Sequence, residues 1–80
     1  MKLQDVFNMS ESTVFQCVTQ LQATEFLRTL LNEDRVSTVY WDVYKENTCY
    51  ELSEGIVSYG STGHFLDNGY SVARFNGWSD

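Results

Sequence analysis

Val39-Tyr40-Trp41-Asp42-Val43-Tyr44-Lys45-Glu46-Asn47-Thr48-Cys49-Tyr50-Glu51-Leu52-Ser53 mixes aromatic and β-branched side chains with acidic and polar ones. Such residues suit a pleated, half-buried surface. The run therefore reads as a strand, a turn at Glu46-Asn47 and a second strand. That register sets Trp41 opposite Leu52, Asp42 opposite Glu51, Val43 opposite Tyr50 and Tyr44 opposite Cys49. Successive strand side chains point to opposite faces. Val39, Trp41, Val43, Tyr50 and Leu52 then form a core face. Tyr40, Asp42, Tyr44, Cys49 and Glu51 form a polar, aromatic and acidic one.

Working outward toward the end of the chain, Glu54-Gly55 signals a turn or bulge and Ile56–Tyr59 a short third strand. Gly60-Ser61-Thr62-Gly63 reads as a loop without the lysine or following helix of a phosphate loop. His64–Leu66 and Tyr70–Phe75 flank Asp67-Asn68-Gly69, and Asn-Gly is the favoured dipeptide of a type I′ hairpin. Two more strands are expected there. Trp78, after the turn signal Asn76-Gly77, either caps the core or stands exposed as an anchor.

Toward the start of the chain, Val14, Cys17, Val18 and Leu21 recur at helical spacing. Ser10 is placed as their N-cap, Glu11 lies in the first turn, and Met9 and Val14 match a hydrophobic staple. A second stripe of Ala23, Phe26, Leu27, Leu30 and Leu31 lies roughly opposite the first at about 100° per residue. The pattern predicts two helices broken near Gln20–Thr24, with Thr24 capping the second, or one long helix apolar on two sides. Glu33 and Asp34 oppose a helix C-terminus electrostatically, so the helix should end before them. Met1–Asn8 reads as a helical turn or an entering strand. The sum is an α+β fold in one compact domain, residues 1–80. One or two N-terminal helices are packed on a four- to five-stranded antiparallel meander sheet.

The 80 residues are 42% hydrophobic and contain no proline, as a folded chain would. Small cores are marginal alone, so a homodimer is plausible. Eleven acids against five bases give a net charge of -6. No basic cluster is present to neutralise phosphates, which argues against direct nucleic-acid binding and against a membrane surface. Only Arg28 and Arg35 are basic between residues 3 and 44, which disfavours a winged-helix DNA binder. A basic partner protein is favoured. Met1–Ser10 lacks an apolar signal core and no run approaches a membrane span, so a cytoplasmic location is expected. Cys17 and Cys49 are too far apart for a metal motif with a single histidine.

His64, the one histidine, has no nucleophile and orienting acid at a spacing that suggests catalysis. Asp42 and Glu51 could do acid–base work as a pair. Beside Tyr40 and Tyr44, however, they read better as a recognition surface. The expected protein-binding residues are Tyr40, Asp42, Tyr44, Glu46, Glu51 and Glu54. Glu25, Glu33 and Asp34 could extend this into a carboxylate array that imitates backbone phosphates. No enzymatic activity, cofactor or metal is expected. The reading is a small acidic interaction module, an inhibitor or adaptor of a basic protein, for example one that itself binds nucleic acid. In kind, such chains resemble accessory proteins of phages and mobile elements that antagonise host defence, anti-CRISPR proteins included. The alternative is a structural or regulatory subunit acting by homodimerisation, antitoxin-like or an assembly protein.

Overall fold

The computed structural model describes residues 1–9, 11–38 and 41–79. The elements follow the order α1 (Leu3–Met9), β1 (Thr13–Gln16), α2 (Gln20–Leu31), α3 (Trp41–Tyr44), a 3-10 turn (Lys45–Asn47), β2 (Thr48–Ser53), β3 (Ile56–Ser61), α4 (Thr62–Asp67) and β4 (Ser71–Arg74). The strands form one sheet in the order β3-β2-β1-β4. The α+β class holds, but the antiparallel meander does not. β1 pairs antiparallel with β2 on one side and parallel with β4 on the other.

The hairpin is shifted along the chain. Thr48–Ser53 is a strand as expected, but its hairpin partner is Ile56–Ser61, with Ser53 opposite Ile56 and Tyr50 opposite Tyr59. Glu54 and Gly55 both have positive φ, 53° and 78°. That is the requirement of a type I′ turn, whose twist matches the flanking strands. The other side of β2 is taken by β1. No edge of β2 is left for the strand expected before the Glu46-Asn47 turn. Trp41–Tyr44 instead forms a helical turn, opened by a bond from Trp41 N to the Thr38 carbonyl (2.9 Å). It is fixed by Trp41 Nε1 donating to the Cys17 carbonyl at 2.9 Å. Lys45, with φ 54°, turns the chain out of it. Val39 and Tyr40 lie outside the described residues.

The first helical stripe is also replaced. Ser12 adopts φ 64°, which a helix cannot continue, and Thr13–Gln16 follows as a strand. Val14 and Phe15 are both fully buried. A central strand covered on both faces reads as a continuous apolar run, not as an alternating one. Ser10, the expected cap, lies outside the described residues. The second stripe is a helix, α2. Thr19, not Thr24, is its N-cap, accepting from Gln22 N at 3.1 Å. Asn32, at φ 53°, ends it before Glu33 and Asp34, as the charges predict.

The expected Asn68-Gly69 hairpin is a helix end. Ser61 caps α4 by accepting from His64 N at 3.2 Å. At the other end Gly69 N bonds Leu66 O at 3.1 Å and Tyr70 N bonds Phe65 O at 3.0 Å. This pair of bonds is a Schellman motif, which wants glycine in the left-handed region; Gly69 has φ 82°. The hydrophobic contact that accompanies the motif is present, Phe65 against Tyr70 at 5.2 Å between ring centroids.

Each face of the sheet thus has its own core. Phe15, Tyr50 and Leu52 pack with Cys17, Ala23, Phe26, Leu27 and Phe75 under α2. Val14 and Cys49 pack with Phe65 of α4 on the opposite face. Gly60 is buried beneath Phe65, and a Cβ there would sit 3.0 Å from the ring. No helix among the described residues is long and apolar enough to cross a membrane.

Candidate functional site

The six residues expected to bind a partner do not share one face. Tyr40 lies outside the described residues. Asp42, Tyr44 and Glu46 follow one another on α3 and the 3-10 turn. Asp42 is ion-paired with Lys45 at 3.8 Å, the Tyr44 ring lies 6.2 Å from that of Tyr59, and Glu46 is exposed. Glu51 sits on β2, on the α4 side of the sheet, where it accepts from Ser58 Oγ at 3.1 Å. Its carboxylate also accepts from the Tyr70 hydroxyl and holds that phenol protonated, raising its pKa. Glu54 occupies the type I′ turn at the far end of β2. The opposed Asp42–Glu51 pair is therefore absent, because Asp42 is on a helix and Glu51 faces Ser58 across the ladder. Cys49 is not an accessible thiol on an outer sheet face. It is buried, 3.4 Å from Thr62 Oγ1, and burial pushes its pKa up. Cys17 is a core thiol, as its spacing implies, and burial pushes it up to about 12.

The structure instead concentrates unpaired carboxylates at the C-terminal end of α2. Ala23, Phe26 and Leu27 anchor the helix on the sheet. Its outer side then carries Glu25, Arg28 and Thr29. The chain reverses at Asn32, where Glu33 N bonds Arg28 O at 3.1 Å, and this brings Glu33 and Asp34 beside the same turn. Trp78 folds back over the helix. Its ring lies flat on Phe26 (5.6 Å, interplanar 6°) and edge-on to Phe75 (5.0 Å). Its Nε1 donates to the Glu25 carbonyl at 2.9 Å. An open groove of about 690 Å³ runs between these groups, with Glu25, Glu33, Asp34, Arg28, Leu30 and Trp78 among its walls. The one ion pair among the described residues is Lys45–Asp42, so all three carboxylates are without a salt-bridge partner there. The helix end adds its own partial negative charge.

A second groove, about 450 Å³, adjoins the first. Leu27 and Leu31 of α2, Val36, Tyr50, Val57 and Tyr59 make most of its wall. Glu33 lines both grooves, and Arg35 lines the second. Tyr50 is 4% exposed, and its hydroxyl is the one buried side-chain polar atom among the described residues without a hydrogen-bond partner. Burial raises its pKa.

The sequence groups Glu25, Glu33 and Asp34 as acids of one carboxylate array and leaves Trp78 apart from them. What joins them is the C-terminal return of Trp78 onto α2, which no local spacing encodes. Phe26 and Leu30, natural choices for a dimer contact on pattern alone, are buried and half-buried in the core. Among the described residues no group of three His, Cys, Asp or Glu side chains could hold a metal ion. No family model matches the chain, and no curated protein or solved structure matches it either.

Proposed function

We propose that this protein is an interaction module that binds a basic segment of another protein and acts as its inhibitor or adaptor. The observation that carries the reading is the groove at the end of α2, with three carboxylates and the helix terminus set against one guanidinium. A lysine or arginine entering it meets complementary charge, with the Trp78 ring as a flat surface for a cation. The net charge of -6 steers such a partner toward the protein from a distance.

The test is titration with a short arginine- and glycine-containing peptide, read by fluorescence anisotropy and by the change in tryptophan emission over a range of salt. Binding should weaken as salt rises. It should weaken further when Glu33 and Asp34, both exposed, are replaced together by lysine. Reversal of Asp42, Glu46 and Glu51 in a parallel variant measures what the acids of α3 and β2 contribute. A neutral peptide of the same length that binds as well as the basic one would refute the proposal.

A further inference from the structure

We infer that the basic segment carries a large apolar side chain next to its cation, and that the two side chains enter the two grooves on either side of the last turn of α2. The inference rests on the interaction reading above and adds the chemistry of the partner to it.

Three observations place the occupant. First, the grooves are neighbours. Glu33 lines both, and the consecutive residues Leu31 and Asn32 face one groove each. A single extended segment crossing the helix end therefore reaches both at once. Second, the grooves differ in charge. The first holds Glu25, Glu33 and Asp34 against Arg28. The second sets Glu33 against Arg35, carries the hydroxyl residues Ser37 and Ser58, and is otherwise aliphatic and aromatic. A cation gains in the first and gains nothing in the second, so the apolar group belongs in the second. Its volume falls within the range of about 300–1,000 Å³ usual for binding clefts. Third, Tyr50, Leu27 and Val57 line the second groove and also belong to the core cluster under α2, Val57 at its edge. An apolar side chain entering there extends that cluster. Partner anchors in such clefts are commonly a few buried side chains ringed by polar contacts.

The experiment compares three labelled peptides of equal length on the intact protein. One carries arginines with glycine and serine, one replaces a serine by leucine, and one carries the leucine without arginine. The arginine–leucine peptide should bind about tenfold tighter than the arginine peptide, as expected for burying one apolar side chain. Leu31→Ser, at a position 40% exposed, should erase that gain. Amide NMR shifts should move at Val36 and Val57 only with the leucine-bearing peptides. Equal binding of the arginine and arginine–leucine peptides overturns this inference and leaves the interaction reading standing. Loss of binding by all three removes both. A leucine gain that survives Leu31→Ser, or a chain that self-associates through this groove in sedimentation and excludes the peptides, also overturns it.

Discussion

The sheet has one face under α2 and the other under α4, and the two coverings are built on different principles. α2 is a twelve-residue helix that lays Ala23, Phe26 and Leu27 into a cluster of rings drawn from distant parts of the chain. Phe26 alone contacts Phe15, Tyr50, Phe75 and Trp78. α4 has six residues and one buried ring, Phe65, whose aromatic neighbours His64 and Tyr70 are close in sequence. It rests Phe65 on Val14 and Cys49 and ties Thr62 to the Asn47 carbonyl, but both of its ends are closed by its own cap and Schellman turn. The first face is thus held by a large cluster of rings from distant parts of the chain, and the second by a small cluster beneath a helix with locally closed ends. The candidate grooves lie at the end of α2.

Four measurements test this contrast. Phe26→Ala should have the largest effect. Removal of a fully buried phenylalanine costs about 3–5 kcal/mol, a large share of the stability of a small domain, and urea denaturation will show it. Phe65→Ala should cost clearly less, and equal losses would dissolve the contrast.

Alkaline pH comes next. The buried Cys17 thiol titrates at about 12, against 9.0 when unperturbed. Between those values the native state keeps a proton that the unfolded chain has released. Stability is therefore complete below about pH 9 and falls as pH rises, by about 1.4 kcal/mol per unit for such a group. Cys49 and Tyr50, both shifted upward by burial, add to the fall. Cys17→Ala should flatten the urea midpoint against pH more than Cys49→Ala does.

Gly60→Ala is expected to have a smaller effect. The new methyl meets the Phe65 ring at 3.0 Å, and overpacking of this kind costs about 1–3 kcal/mol. Hydrogen exchange should quicken in α4 and remain unchanged in α2. The smallest effects belong to the caps. Thr19→Ala and Ser61→Ala should each cost about 1 kcal/mol. The first should appear as a shift of the global transition, and the second as early fraying of α4 alone.

Much of this was legible in the residues, though not evenly. The stripe from Ala23 to Leu31 could only be a helix against a core, and the two acids after Asn32 marked its end. Thr48–Ser53 read as a strand for the right reason. The failures share a cause, which is that one local signal serves two structures. Asn68-Gly69 supplies a left-handed residue equally well to a type I′ hairpin and to a helix C-terminus. The cap at Ser61 and the ring contact between Phe65 and Tyr70 select the second. Thr13–Gln16 is only four residues long, too short for period two to be told from period 3.6. Trp41–Tyr44 has strand-forming side chains, but β2 already has a partner on each side. The acidic groove was least legible, because it exists only when Trp78 meets Phe26 across the whole fold.

The parallel pairing of β1 with β4 has a kinetic consequence. The β2–β3 hairpin can close as soon as its own residues are made, and β1 can join it at any time afterward. The last seam waits for Ser71–Arg74, which must find a strand laid down near the other end of the chain. Until it does, one edge of β1 lacks its ladder and Phe75 is missing from the cluster around Phe26. Pairing over long sequence separation slows folding, and an open strand edge invites pairing with a neighbouring molecule. The interval between synthesis of β1 and arrival of β4 is therefore when this protein is most exposed to aggregation. Speeding that last pairing should raise the yield of folded protein more than strengthening the hairpin would.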